Sequence, residues 1–178
     1  MIQGGWQRTW IRTVTTLMTA AVMVVIFCFS MENAAESDQR SGNISMIIIR
    51  IFHSEYETMD MLQQRELYDR IQFIVRKCAH FTEYMMLGFI SRLCAESWFG
   101  HRTKRTGLLP LISLGYGVLY ACTDEIHQIS IDGRIGAWTD VLVDACGVLA
   151  GVLLGTMLIR CINRRKTACI SGGAETGR

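Results

Sequence analysis

Hydrophobic residues in this chain gather in long runs, and the lengths of those runs predict its elements. Between Arg12 and Glu32 the run TVTTLMTAAVMVVIFCFSM is uncharged for nineteen residues, enough to cross a hydrocarbon layer about 30 Å thick as a helix. From Thr106 to Thr123, TGLLPLISLGYGVLYACT gives eighteen more, with its single Pro near the start, where a helix tolerates it best. After Asp140 the run VLVDACGVLAGVLLGTMLI is broken only by Asp144 and stopped by Arg160, so it spans if its polar first turn lies at the interface. HFTEYMMLGFISRLCAESWF is less apolar, carrying His80, Glu83, Arg92 and Glu96, and an Arg92/Glu96 pair at i,i+4 would soften that cost. The pattern predicts an all-α, polytopic membrane protein with four spans, at about 11–31, 79–98, 107–127 and 138–160.

Between the first and second spans the pattern changes. ENAAESDQRSGN is polar and rich in Ser, Asn and Gly, which predicts an external loop. ISMIIIRIF is too short to span and is expected in the outer interface or as a re-entrant segment. From Tyr56 onward, Leu67, Ile71, Ile74, Val75 and Cys78 recur at helical spacing among charged residues, so an outer-face amphipathic helix should run into the second span. Residues 1–162 form the membrane domain, and 163–178, ending in SGGAETG, read as a disordered cytoplasmic tail. Gly147, Gly151 and Gly155 lie four apart, so one face of the fourth span is nearly bare backbone that a neighbour can approach closely. Gly115 and Gly117 in the third span are the expected counterpart.

Composition agrees with this picture, since 50% of the residues are apolar and only 19% are charged, away from the average of soluble domains. The placement of charge adds an orientation. Arg8 and Arg12 precede the first span, HRTKR joins the second to the third, and RCINRRK follows the fourth. All three segments fall on one side, and short cytoplasmic loops retain Lys and Arg, so both termini are predicted cytoplasmic. The first apolar run is long for a cleaved signal peptide and is expected to remain. Seven cysteines, scattered mostly within spans and without a C-x-x-C, argue against a disulfide framework or a zinc knuckle. Neither a P-loop, nor G-x-S-x-G, nor H-E-x-x-H is present, and no nucleic-acid partner is expected.

The candidate chemistry lies where the apolar runs meet. At about 100° per residue, Asp124, His127 and Gln128 share a face at the outer end of the third span, with Glu125 turned further round. His80, Glu83 and Tyr84 share one on the second span, and Asp140 and Asp144 do so on the fourth. Topology brings all three faces to the outer side. An ionised group at a helix centre costs about 2.5–3.5 kcal/mol on insertion scales, so these side chains must line a hydrated cleft, receive a polar ligand, bind a cation, or form an internal network that fixes helix register. Arg134, flanked by Gly133 and Ile135, can offer a planar fork to a phosphate or carboxylate, which suits an anionic envelope ligand such as a lipid head group or peptidoglycan precursor. Lys77 stands just before His80. His80 with Glu83, and Asp124 with His127, are i,i+3 pairs whose atoms suit a divalent cation, although that spacing is common by chance, and no cofactor is expected. Glu83 or Glu125 beside His127 could instead form the acid–base pair of an intramembrane hydrolase or transferase acting on envelope lipids.

At these residues the chain resembles the VanZ family of bacterial membrane proteins. The resemblance rests on RKCAHFTEYMMLG (Arg76 to Gly88), DEIHQISIDGR (Asp124 to Arg134) and TDVLVDACGVLAG (Thr139 to Gly151), with FSMENAAESDQRSGNIS after the first span. Together these cover most of the chain in the right order. Asp132 stands where relatives usually carry Pro, and Ile129-Ser130 lacks an aromatic often found there. By position the family pattern picks out Lys77, His80, Tyr84, Gly88, Asp124, Glu125, His127, Gln128, Gly133, Arg134, Asp140 and Gly147. The resemblance implies an association with resistance to the glycopeptide teicoplanin; the polar residues themselves are expected to form a site that engages an envelope component or the antibiotic.

Overall fold

The computed structural model describes residues 2–100, 107–130 and 138–175. Its helices follow in the order α1 (Ile2–Ser30), α2 (Ala34–Phe52), α3 (Met61–Phe99), α4 (Leu108–Ile129) and α5 (Trp138–Glu175), with a 3-10 turn at Tyr56–Thr58 and no strand among the described residues. α3 is the organising element, packing against each of the other four.

The segment expected as an external loop is helical. Asn33 and Glu36 form a capping box, in which the Glu36 amide donates to Asn33 Oδ1 at 2.9 Å and the Asn33 amide donates to Glu36 Oε2 at 3.2 Å, satisfying donors that a helix start leaves open. The serines that suggested a loop turn back on their own helix: Ser41 donates to the Ser37 carbonyl at 2.9 Å and Ser45 to that of Ser41 at 2.7 Å. α2 carries on through ISMIIIRIF to Phe52, so this run is the end of a helix. It lies antiparallel on the first half of α3. Arg76 pairs with Asp38, Gln72 Nε2 donates to the Asp38 carbonyl at 3.1 Å, and Gly42 sits under the Tyr68 hydroxyl, where a Cβ would collide.

The expected amphipathic helix and second span are one continuous helix of 39 residues, roughly 58 Å long at about 1.5 Å per residue. Asp60 caps it, accepting from the Leu62 and Gln63 amides at 2.9 and 2.8 Å. The first half of α3 therefore forms a helical hairpin with α2. α5 runs on to Glu175, into the segment expected to be disordered, with no Pro to stop it and no Gly after Gly155 until Gly172.

The glycine stripe of α5 meets α3, and not α4 as expected. A Cβ on Gly147 would strike the Phe81 carbonyl and one on Gly151 the Met85 carbonyl, while Gly88 of α3 lies against the Val148 backbone. On α4, Gly117 faces the Val148 side chain and Gly115 faces open space. Sequence shows that a helix has a bare face but not which neighbour uses it.

Burial is reversed relative to a water-soluble bundle. Leu17, Leu119 and Leu153 are 63%, 69% and 49% exposed, whereas Asp144, Arg92, Asp124 and Glu125 are 2%, 3%, 5% and 7% exposed. A small apolar core of Ile26, Tyr84, Leu87, Ala121, Val148 and Val152 holds the centre. Among the described residues two helices are long and apolar enough to cross a membrane, Arg8–Ser30 and Trp138–Arg165. α3 carries His80, Glu83, Arg92 and Glu96 through its apolar half, and α4 gives its last turns to Asp124, Glu125, His127 and Gln128. In α3 the expected Arg92–Glu96 pair is present, with both terminal guanidinium nitrogens 3.0 Å from Glu96 Oε2, and Arg92 Nε also donates to Thr156 at 3.1 Å.

Candidate functional site

The glycine seam sets up the first part of the site. With α5 backbone drawn against α3 at Gly147 and Gly151, the two turns above it present acids to the facing turn of α3. Lys77 is ion-paired with Asp140, both partly buried, and His80 Nδ1 lies 3.8 Å from Asp144 Oδ1. The two rungs pair an i,i+3 step on α3 with an i,i+4 step on α5, which is how neighbouring turns of packed helices meet. Asp144 also has Asp124, Asp140, Glu125 and Glu83 as its acidic neighbours.

α4 supplies the second part. Gln128 Nε2 donates to Asp124 Oδ2 at 3.0 Å, and both residues are buried. Tyr84 is wholly buried, its hydroxyl beside Asp124 and Asp144 without a well-formed hydrogen bond to either. Its ring lies 6.4 Å from that of Tyr120, whose hydroxyl donates to the Met23 carbonyl of α1 at 2.7 Å. Among the described residues, Asp124, Glu125, Asp140, Asp144 and Glu83 bring acceptors to this level, the kind of group that meets hydroxyl or ammonium donors.

A cavity of about 120 Å³ opens between the C-terminal end of α1, α2, α3 and the C-terminal end of α4. Its wall includes His80, Glu83, Asp124 and Gln128, and its mouth is formed by Glu32, Arg40 and Arg76. The last three were not among the expected site residues. Arg40 pairs with Glu32 and lies over the Phe29 ring, 4.4 Å from its centroid. The capping box at Asn33 was the signal that could have found α2, and with it this side of the cavity.

His127 departs from the expected arrangement. Its ring stacks on Phe27 of α1 at 5.1 Å and 22°, with Nε2 buried and without a hydrogen-bond partner. The shared wheel face with Asp124 thus divides in three dimensions, Asp124 turning to the cavity and His127 to α1. Of the four residues considered for a divalent cation, His80, Glu83 and Asp124 line the cavity while His127 turns to α1, and among the described residues no group of three or more His, Cys, Asp or Glu is arranged to hold a metal ion. Gly133 and Arg134 lie outside the described residues.

A family model described as VanZ/LLP1 matches residues 15–160. Comparisons with curated proteins and with solved structures gave no match.

Proposed function

Since the chain belongs to the VanZ/LLP1 family, we propose that it is a four-span membrane protein whose outward-facing cavity engages an anionic component of the cell envelope. Family membership and two helices apolar enough to cross a bilayer suggest a membrane protein. The further spans, α3 from about Ala79 and α4, are supported by their apolar exteriors and inward polar groups. Ionisable residues in spans face the bundle interior or pair with one another, as Arg92 does with Glu96. The basic residues Arg8 and Arg12 in the first part of α1, the HRTKR segment between α3 and α4, and those along the end of α5 support cytoplasmic termini, which would put the α2–α3 hairpin outside.

The observation that carries the reading is the cavity, with two arginines at its mouth and His80, Glu83, Asp124 and Gln128 within. Arg40 and Arg76 are now held by Glu32 and Asp38, and the side chains of these pairs are 49%/17% and 42%/53% exposed. The Arg76–Asp38 pair, exposed on both sides, is worth about 0–1 kcal/mol, so an incoming phosphate or carboxylate can replace Asp38 at small cost and gain bidentate contacts. The Gln128 amide and Asp124 carboxylate inside the cavity, hydrogen-bonded to each other at 3.0 Å, are groups that hydroxyl or amino substituents on the same ligand can join. A lipid head group or a lipid-linked peptidoglycan precursor has this chemistry, and engagement of that ligand or of a glycopeptide antibiotic would account for teicoplanin-type resistance.

The test is binding of labelled anionic lipid to the full chain in phosphatidylcholine nanodiscs. Hydrogen bonds to charged groups contribute about 1.5–3 kcal/mol, so Arg76→Gln and Arg40→Gln should each weaken binding about tenfold or more. Equal affinity for zwitterionic and anionic lipid would reject the proposal.

A further inference from the structure

A second opening, separate from the cavity beside Arg40 and Arg76, lies nearer the other end of the bundle. It measures about 370 Å³ and runs between Thr16, Ala20 and Met23 of α1, Cys94 and Ala95 of α3, and Tyr116 of α4. The α1 positions follow at i,i+4 and i,i+3 steps and so form one face. The groove is closed at its deep end, where Tyr116 donates to Met23 Sδ and Tyr120 to the Met23 carbonyl, both at 2.7 Å. Leu17, Met18 and Leu111 beside it are exposed, so it opens to the surroundings of the bundle.

Hydroxyl residues border the groove, yet their polar atoms are engaged within the protein. Thr19 donates to the Thr15 carbonyl at 2.8 Å, Ser91 to that of Gly88 at 3.1 Å and Ser113 to that of Leu109 at 3.0 Å. Thr16 accepts from Trp98 Nε1 at 3.1 Å. The wall therefore offers carbon to an occupant, and in a bilayer a hydrocarbon chain would supply the dispersion contacts that an empty wall forgoes.

The shallow end is basic and aromatic. Trp98, whose indole bonds the groove residue Thr16, carries the Arg12 guanidinium over its ring, 5.1 Å from the centroid. Arg12 Nε also donates to the Ser97 carbonyl at 2.9 Å, which fixes the guanidinium at this rim. Arg8 lies one turn further out and is exposed, as is Trp10, and Trp is enriched where membrane meets water. Glu96 shares a small opening with Arg8 and Ser97, but it accepts from both terminal nitrogens of Arg92 at 3.0 Å, so its charge is compensated within the bundle.

From Arg12 to Met23, α1 rises roughly 16 Å at about 1.5 Å per residue. One leaflet of a hydrocarbon core about 30 Å thick measures roughly 15 Å. The distance from basic rim to closed end thus matches one acyl chain that stops near the midplane, whereas a packed helix from a partner would run on past Met23. Two arginines at the rim suit a phosphate. We infer that the groove seats one acyl chain of an anionic glycerophospholipid, its phosphate at Arg8 and Arg12, drawn from the leaflet at the N-terminal side of α1. In the orientation proposed above that leaflet is the cytoplasmic one, and the inference is otherwise independent of the anion site at Arg40 and Arg76.

The experiment adds phosphatidylglycerol or phosphatidylcholine, with identical chains and a photoreactive diazirine midway along one of them, to the full chain in phosphatidylcholine nanodiscs. Labelled peptides are located by mass spectrometry. Phosphatidylglycerol should label the groove about tenfold more than phosphatidylcholine, the difference that one charge-assisted hydrogen bond makes. Ala20 lies on the exposed lip, so Ala20→Trp fills the groove without entering the core, and Ala95→Phe fills it from α3. Circular dichroism checks that the helices remain. Both variants should remove the groove label, and Arg8→Gln with Arg12→Gln should bring phosphatidylglycerol down to the phosphatidylcholine level. Arg76→Gln should leave the label unchanged, whatever it does at the outer cavity. Label that persists in both filled variants, or that spreads evenly over exposed positions such as Leu17 and Leu111, overturns the chain site, as does a groove that takes no label from either lipid. Equal labelling by the two lipids overturns the anionic assignment. Loss of the label in Arg76→Gln would assign the lipid to the outer cavity, overturning this inference and leaving the proposed function standing.

Discussion

Replacing Gly151 by Ala tests how the bundle is held together at the level just below the polar site. An added Cβ there would meet the Met85 carbonyl oxygen and the Phe89 amide nitrogen. Neither can rotate aside as a side chain would, so α3 and α5 must move apart. Overpacking of this kind costs about 1–3 kcal/mol, and for a chain of 150–250 residues each kcal/mol lowers Tm by about 2–4 °C. A fall of about 2–12 °C is therefore expected, followed by thermal denaturation in detergent with circular dichroism as the signal. Gly115→Ala is the internal control. Its Cβ meets nothing within 4 Å, and Ala is favoured over Gly in a helix by about 0.8–1.0 kcal/mol, so its Tm should hold or rise. Equal effects of the two substitutions, or an unchanged Tm for Gly151→Ala, would refute the packing of the glycine stripe on α3.

Three further outcomes are expected. Asn33→Ala removes the α2 cap and should cost about 0.5–2 kcal/mol, seen as faster amide exchange over the first turn of α2, whereas unchanged exchange would mean that the capping box does not hold the hairpin. Lys77→Met and Asp140→Asn should be non-additive, with a coupling of about 0.5–3 kcal/mol in a double-mutant cycle of thermal stability; strict additivity would deny the α3–α5 rung. Tyr120→Phe deletes the hydroxyl bound to the Met23 carbonyl and should destabilise by about 0.5–1.5 kcal/mol, with no loss if that bond is unimportant.

The sequence was most informative where one residue type dominated. Most of α1, α4 up to Thr123 and the middle of α5 (145–159) appear as long uncharged runs, and helical spacing placed Asp140 and Asp144 on the face that meets Lys77 and His80. α2 was hidden because Ser, Asn and Gly suggest loops, while the local bonds that override them, Asn33 with Glu36 and Ser45 with the Ser41 carbonyl, depend on backbone geometry. Glu32, Arg40 and Arg76 at the cavity mouth could not be anticipated without knowing that α2 folds back on α3. His127 shows the limit of a wheel projection, which placed it with Asp124 although the ring finds Phe27 of another helix. The partner of the glycine stripe was misplaced for a similar reason, since helix adjacency is a tertiary property.

The most direct test of an outward-facing anion site is labelling at Ser37, which lies on the α2 side of the cavity. With the seven native cysteines changed to alanine, Ser37→Cys would be exposed to a membrane-impermeant maleimide in intact cells, with and without an added anionic phosphate lipid, dioleoyl phosphatidylglycerol. The account predicts labelling from outside that slows when the phosphate lipid is present and is not slowed when Arg76 is also changed to Gln. Labelling that requires disrupted membranes would contradict the topology, and labelling indifferent to the lipid would contradict the site.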